Sequence, residues 1–275
     1  MAILNTKILL EGLSFPESPR WHDNKLWFSD METHKVMTVD LNGNTEIILE
    51  VPNRPSGLGW LPNGRLLVVS MIDRKLLRLD PDGMKEHADL REHATFWCND
   101  MVVDKHGRAY IGNFGFDYAN GEPPKPAEIV MVEPNGGKMV VAENLSFPNG
   151  TVITPDGKTL IVGETFAQRL TAFEISSDGS LKERRIWANL RTLPPDGVCL
   201  DSDGGIWVAA PGRHRVVRVL EGGEITDKVK IKTDAYACML GGPDRNILFI
   251  ATSNNDRSQG RIEYVKVDFT GAGFP

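Results

Sequence analysis

Three prolines in this chain are each followed at once by a residue with an oxygen donor: Glu17, Asn149 and Asp196. The first two follow the same four residues, because Leu-Ser-Phe-Pro ends at residue 16 and again at residue 148. If the fold brings the three side chains together, two carboxylates and an amide oxygen would suit a hard divalent cation such as Ca²⁺ or Mg²⁺. The fold would then have to join positions that lie 132 and 47 residues apart in sequence.

A repeat of short apolar strands, separated by turns rich in Gly, Asn, Asp and Pro, runs through the whole chain. Equivalent positions occur at 17, 56, 99, 149, 196 and 235, so the spacings are 39, 43, 50, 47 and 39 residues. Four strands in a period of about 40 to 50 residues are typical of a β-propeller blade. We therefore predict that residues 1–275 form one all-β domain, a six-bladed β-propeller with four-stranded antiparallel blades. Ile3 to Glu11 is expected to add an outer strand to the last blade and close the ring.

Blade geometry relates these repeats to a site. The loop before the first strand and the loop after the second strand lie on one face, and the innermost strands begin at the central axis. Glu17 and Asn149 should therefore face each other across the tunnel, with Asp196 on the blade beside Asn149, and a metal ion should lie in this central tunnel. Asn99 joins the same inner ring, and Asn113 belongs to a wider ring at the ends of the second strands.

Several features of this face have a plain structural interpretation as well. Asp-Gly and Asn-Gly are common turn dipeptides, so each ring position taken alone is more often structural. Asp30 and Glu164, at the ends of two second strands, either support the site or are solvated. The third repeat carries an insertion at residues 117–126, rich in Pro and Gly, which is either a lid or a tolerated surface loop.

Composition argues against several function classes. The chain has 31 basic and 37 acidic residues, a net charge of −6, and no Lys/Arg run that would indicate nucleic-acid binding. It has no apolar window of about 18 residues and no signal-peptide pattern at its start, so we predict a cytoplasmic protein with no membrane contact. The three cysteines are expected to be reduced and buried. The six histidines show no HxH or HExxH spacing, which disfavours a histidine-based zinc site.

At these residues the chain resembles the gluconolactonase/regucalcin family, also called the senescence marker protein family. The resemblance covers nearly the whole length and rests on four segments: FPESPRW at 15–21, CND at 98–100, FPNG at 147–150 and PDGVCLD at 195–201. It implies a six-bladed propeller with one divalent metal in the tunnel, Ca²⁺ first with Mg²⁺, Mn²⁺ or Zn²⁺ as alternatives, and it implies lactone hydrolysis. It also implies that Glu17, Asn149 and Asp196 are the metal ligands and that Asn99 lies close to metal and substrate.

One position departs from the family pattern. The arginine often found two residues before the asparagine of the third repeat is Trp97 here. A contact from that arginine to a sugar hydroxyl is therefore missing. A more apolar lactone or an ester-like compound would suit Trp97 better than a plain aldonolactone.

We therefore predict a metal-dependent lactonase. In it the cation polarises the carbonyl, Asp196 is the catalytic base, and Asn99, Trp97 and Asn113 contact the substrate. Alternatively, Asp196 only positions a water that the cation activates. Two other functions stay open: hydrolysis of phosphotriesters or fluoridates at the same site, and a non-enzymatic propeller in which the cation only stabilises the ring. The expected partner is a small-molecule lactone or ester-like substrate, and the expected state is a monomer or weak homo-oligomer.

Overall fold

The structure, a computed structural model, describes residues 3–272. Within that range 25 strands form six sheets. Five sheets contain four consecutive antiparallel strands, and the sixth contains three consecutive strands and one strand from the N-terminal segment. The predicted six-bladed all-β propeller is confirmed. We number the blades 1 to 6 in chain order of their innermost strands.

The strands before blade 1 are β1 (Ile3–Asn5) and β2 (Lys7–Leu13). Blades 1 to 3, each from the innermost strand outward, are β3 (Pro16–His22), β4 (Lys25–Asp30), β5 (Lys35–Val39), β6 (Thr45–Glu50); β7 (Pro55–Trp60), β8 (Leu66–Ser70), β9 (Lys75–Asp80), β10 (Gly83–Asp89); and β11 (Cys98–Val103), β12 (Ala109–Asn113), β13 (Ala127–Val132), β14 (Lys138–Leu145). Blades 4 to 6 are β15 (Pro148–Ile153), β16 (Thr159–Glu164), β17 (Arg169–Ile175), β18 (Leu181–Asn189); β19 (Val198–Leu200), β20 (Ile206–Ala210), β21 (Arg215–Val219), β22 (Ile225–Lys230); and β23 (Asp234–Gly241), β24 (Ile247–Ser253), β25 (Gly260–Lys266), with β2 outermost. Two short 3₁₀ turns, Met31–Thr33 and Tyr118–Asn120, complete the elements, and no helix within residues 3–272 is long and apolar enough to cross a bilayer.

The N-terminal segment closes the ring, but it does so in two parts. Strand β2 pairs antiparallel with β25 as the outer strand of blade 6, which confirms the predicted closure. Strand β1 instead pairs in parallel with β22, so it is a fifth strand on blade 5. Between the two strands, the Thr6 hydroxyl donates to the Glu263 carboxylate of blade 6. The chain therefore covers the outer edges of two neighbouring blades, edges that would otherwise leave unpaired backbone groups.

The core lies between the faces of adjacent blades. The second strands β8, β12 and β20 are buried along their whole length because a neighbouring sheet covers each face. Large side chains such as Trp207, Phe28 and Phe249 are fully buried there. The three cysteines are free and buried, as predicted.

Near the axis the innermost strands approach so closely that side chains are excluded. A Cβ on Gly150 would lie 2.5 Å from the backbone oxygen of Asp196, and a Cβ on Gly197 would lie 2.4 Å from the Cβ of Ala237. Glycine at these positions therefore lets neighbouring blades bring their first residues to the tunnel mouth.

Candidate active site

The three residues that follow prolines lie together at the tunnel mouth. Glu17, Asn149 and Asp196 all line one cavity of about 400 Å³. Glu17 and Asn149 are the second residues of β3 and β15 in opposite blades, and Asp196 precedes β19 of blade 5 by two residues. The cluster holds two carboxylates and one amide. Because only two of its three members are acidic, it is not a group of three or more His, Cys, Asp or Glu side chains, and residues 3–272 contain no such group that could hold a metal.

A buried carboxylate from the same blade holds each copy of the Leu-Ser-Phe-Pro segment. Asp30, at the end of β4, accepts a hydrogen bond of 2.7 Å from the backbone N–H of Phe15. Glu164, at the end of β16, accepts one of 2.8 Å from the backbone N–H of Ser146. Asp30 and Glu164 are thus supporting groups rather than solvated ones. They fix the loops whose next residues are Glu17 and Asn149.

The support at Glu164 predicts a stability effect. Glu164 is fully buried and also accepts from Arg169 (2.8 Å), Arg184 (3.2 Å) and the Thr171 hydroxyl (2.5 Å). Glu164→Gln cannot accept all these bonds and leaves two guanidinium groups without their counter-charge. We expect a loss of about 1–3 kcal/mol in the free energy of unfolding, measured by urea denaturation. The exposed Glu174→Gln in the same blade is the control, and an equal loss in both variants would contradict this role.

Burial and mutual repulsion control the protonation of the two carboxyl groups. Burial, with a contribution from the charge of Asp100, raises the pKa of Glu17 to about 7, although the backbone N–H of Ser18 donates to its carboxylate at 2.9 Å. Burial and the charges of Glu17 and Asp100 raise the pKa of Asp196 well above its usual range. Asp100 itself is paired with Arg20 at 2.7 Å. Without a nearby cation, ionising both Glu17 and Asp196 at the mouth is therefore unfavourable.

Asn99 and Trp97 also line this cavity. Asn99 is buried, and its Nδ2 donates to the backbone oxygen of Pro148 at 3.3 Å. The Trp97 ring is tilted against Phe114, with ring centroids 6.4 Å apart. Both side chains are therefore placed where a molecule in the cavity would meet them.

Asn113 lies elsewhere, and the structure argues against its predicted contact with substrate. Its side chain is fully buried, outside the residues that line the cavity. Its Nδ2 donates to the backbone oxygen of Glu128 (3.1 Å) and to the Glu128 carboxylate (3.0 Å), and its Oδ1 accepts from the backbone N–H of Gly115 (2.9 Å). Both the nitrogen and the oxygen of this amide therefore form hydrogen bonds that hold the loop after β12.

Sequence reasoning missed the cations of the cavity. Arg54, just before β7, and Arg257, between β24 and β25, both line it. Glu32 bridges them, with carboxylate oxygens 2.7 Å from Arg54 Nη2 and 3.4 Å from Arg257 Nη1. Arg54 lies in a loop before an innermost strand, and Arg257 lies in a loop after a second strand. Both kinds of loop were expected on this face, so their position in the repeat could have indicated these two arginines.

The insertion in blade 3 reaches across the ring. Tyr118 and Ala119 line the cavity, and Arg257 Nη2 donates to the Tyr118 hydroxyl at 2.6 Å. Because Arg257 belongs to blade 6, opposite blade 3, this contact joins opposite sides of the mouth. Tyr118 and Ala119 of the insertion therefore form part of the cavity wall.

Comparison with known proteins agrees with this architecture. A family model described as SMP-30/Gluconolactonase/LRE-like region matches residues 15–254. The chain is 24% identical over 278 residues to pentonolactonase XacC of Haloferax volcanii, covering 98% of this chain and 92% of that protein. It is 24% identical over 254 residues to a 6-deoxy-6-sulfogluconolactonase of Pseudomonas putida, covering 88% and 84%. The crystal structure of a calcium-binding protein, regucalcin, from Agrobacterium tumefaciens has the same fold, with a TM-score of 0.84, 18% identity, and coverage of 100% and 98%.

Proposed function

The chain belongs to the SMP-30/gluconolactonase/LRE-like family, and on that premise we propose that it hydrolyses a lactone at the tunnel mouth with a divalent cation. The observation that carries this proposal is the pair of carboxylates, half-buried Glu17 and buried Asp196, that line one cavity with the Asn149 amide. The pentonolactonase and sulfogluconolactonase among the relatives support a lactone as substrate.

The donor set fits a hard cation. Two negative charges in a poorly hydrated site repel each other, and a dication between them removes that penalty. Among the described residues, Glu17 accepts one hydrogen bond, from Ser18, so its carboxylate keeps acceptor capacity for a metal. Carboxylate and amide oxygens are ligands that Ca²⁺, Mg²⁺ and Mn²⁺ prefer, whereas Zn²⁺ more often takes His or Cys. We therefore propose Glu17, Asn149 and Asp196 as the ligands and Ca²⁺ as the first choice.

The reaction follows from the positions of the remaining groups. A divalent cation bound there supplies Lewis-acid polarisation of the lactone carbonyl. Asp196 accepts a proton from the attacking water as the new C–O bond forms. It then returns that proton to the ring oxygen as the ester bond breaks, which yields a hydroxy acid. Asp196 serves as this base only if it coordinates the cation loosely, since tight coordination lowers the pKa of a carboxyl group.

Asn99 and Trp97 have different roles in this proposal. Asn99, buried at the rim beside Asn149, donates to an oxygen of the substrate. Trp97 packs against the apolar part of the substrate.

Hydrolysis of a lactone panel after exhaustive chelation, with Ca²⁺, Mg²⁺, Mn²⁺ or Zn²⁺ added back singly, tests this function. We expect turnover to vanish on chelation and to return with at least one cation. Full activity without metal would contradict the proposed role of the cation. Turnover of phosphotriesters but of no lactone would show that the site hydrolyses phosphotriesters instead. Cation binding with no turnover of either class would favour the non-enzymatic propeller.

A further inference from the structure

We propose that Arg54 and Arg257 form an oxyanion-binding subsite above an aromatic wall, so that the natural substrate is an apolar lactone bearing a negatively charged group. This inference rests on the proposed lactonase function and specifies its substrate class. Three observations support the inference: the aromatic rings that line the cavity, the positive charge of the two arginines, and the short distances between these arginines and the rings.

The wall is a continuous set of aromatic rings. Trp97 is tilted against Phe114, Phe114 stacks on Phe147 with centroids 4.4 Å apart, and Phe147 and Phe166 are perpendicular with centroids 5.0 Å apart. Phe166 is 49% exposed although it is a large apolar residue, and it lines the cavity. Such a surface favours a flat or apolar substrate body, with binding free energy from apolar area and from stacking.

A sugar lactone would need hydrogen-bonding partners for its hydroxyl groups, and a polar group that stays unpaired in the complex lowers affinity strongly. One candidate partner, the Thr165 hydroxyl, is already engaged. It donates to the backbone oxygen of Pro195 at 2.7 Å and accepts from Asn149 Nδ2 at 3.3 Å. The wall of Trp97, Phe114, Phe147 and Phe166 itself offers only the indole N–H of Trp97 to a hydroxyl group, so this wall suits a polyhydroxylated ring poorly.

The rim of the cavity is formed here by Arg54, Arg257 and Glu32. One carboxylate, Glu32, lies between the two guanidinium groups, so these three side chains together carry one net positive charge. Each guanidinium has five N–H donors in a planar fork, and Glu32 and Tyr118 accept only some of them. The remaining donors can form the bidentate bonds that bind carboxylates and other oxyanions well.

The arginines lie against the aromatic surface and so can act on the same molecule. The Arg54 guanidinium carbon is 6.0 Å from the centre of the Trp97 ring, and that of Arg257 is 4.5 Å from the centre of the Phe15 ring. A substrate packed on the rings would therefore present its charged group to the rim. Arg54, from the loop that opens blade 2, therefore places a cation beside the Trp97 ring.

The test compares three lactones with the cation-loaded enzyme: dihydrocoumarin, a dihydrocoumarin with a carboxylate on its aromatic ring, and δ-gluconolactone. We expect kcat/KM to be at least about tenfold higher for the carboxylated compound than for dihydrocoumarin, and lowest for δ-gluconolactone. Arg54→Met keeps an apolar stem and removes the charge, so the ratio between the two aromatic lactones should fall to about one, mainly through KM. Arg65→Met, which removes a partly exposed arginine paired with Asp80 in the same blade, should keep the wild-type ratio.

Equal kcat/KM for the two aromatic lactones, or a preference that survives Arg54→Met, would overturn the subsite. A preference for δ-gluconolactone would overturn the apolar part of the inference. If no lactone is turned over, the proposed function fails, and calorimetry with 3-phenylpropionate and 3-phenylpropanamide then decides the subsite. Selective binding of the carboxylate that weakens at least tenfold in Arg54→Met would support it, and equal binding in both proteins would refute it.

Discussion

Asp196→Asn is expected to lower kcat for lactone hydrolysis by about 10²- to 10⁴-fold, the range associated with loss of a general base. The substitution keeps the size and shape of the side chain but removes its ability to accept a proton from water. It also removes one of two anionic ligands, so the rate should be measured over a series of cation concentrations up to saturation. A loss that persists at saturation is attributable to proton transfer rather than to weaker metal binding.

The stability of the same variant separates a chemical role from a structural one. Burial and the charge of Glu17 raise the pKa of Asp196, so ionised Asp196 is under repulsion when no cation is present. Asp196→Asn should therefore melt at the same temperature as the cation-free wild type or higher. The exposed Asp203→Asn in the same blade is the control for rate and stability. Unchanged turnover in Asp196→Asn would eliminate both the base and the positioning role.

Glu17→Gln is expected to abolish most cation binding and most activity, and yet to stabilise the cation-free protein at alkaline pH. Burial raises the pKa of Glu17 to about 7, above its ordinary value of 4.5, so the folded protein holds this proton more tightly than the unfolded chain. Stability from Glu17 is therefore present at low pH and is lost as pH rises from about 4.5 to about 7. The difference corresponds to at most about 3 kcal/mol, since one pKa unit is about 1.4 kcal/mol.

Melting curves at pH 4 and pH 8, with chelator and with Ca²⁺, measure this effect. At pH 8 without cation, Glu17→Gln should melt above wild type, and at pH 4 the two should nearly coincide. A cation at about 100 times its Kd should stabilise wild type by about 2.7 kcal/mol and the variant much less. The exposed Glu92→Gln should follow wild type throughout. A variant that melts below wild type at pH 8 without cation would show that Glu17 is structural.

The repeat period was enough to predict the fold because every blade buries its apolar strands in the same way. Short apolar strands must be covered on both faces, and the spacing of their turns reveals where each sheet begins. Five of the six ring positions fall within an innermost strand, and the sixth, Asp196, lies two residues before β19. The position of β1 on blade 5 was not predictable, since three residues that pair at an exposed edge carry no pattern that selects one edge over another.

The sequence predicted the site residues whose position is fixed by the symmetry of the blades. It was less informative for residues whose place in the cavity depends on side-chain direction or on the path of a loop. Glu17, Asn149 and Asp196 begin innermost strands or immediately precede one, so the ring itself brings them together. Asn113 also has the expected backbone position, but its amide turns to Glu128 and away from the cavity. Arg54 lies in a loop of the kind expected on this face, but the repeat does not indicate which side chains of such a loop enter the cavity.

Anomalous diffraction from crystals soaked in Mn²⁺ or Ca²⁺ tests the proposed metal site, because it locates the cation without reference to activity. We expect one strong peak at the tunnel mouth, within bonding distance of oxygen atoms of Glu17, Asn149 and Asp196. The same soak of Glu17→Gln crystals should give a much weaker peak. A peak elsewhere, or none at a concentration that supports full lactone turnover, would contradict the account.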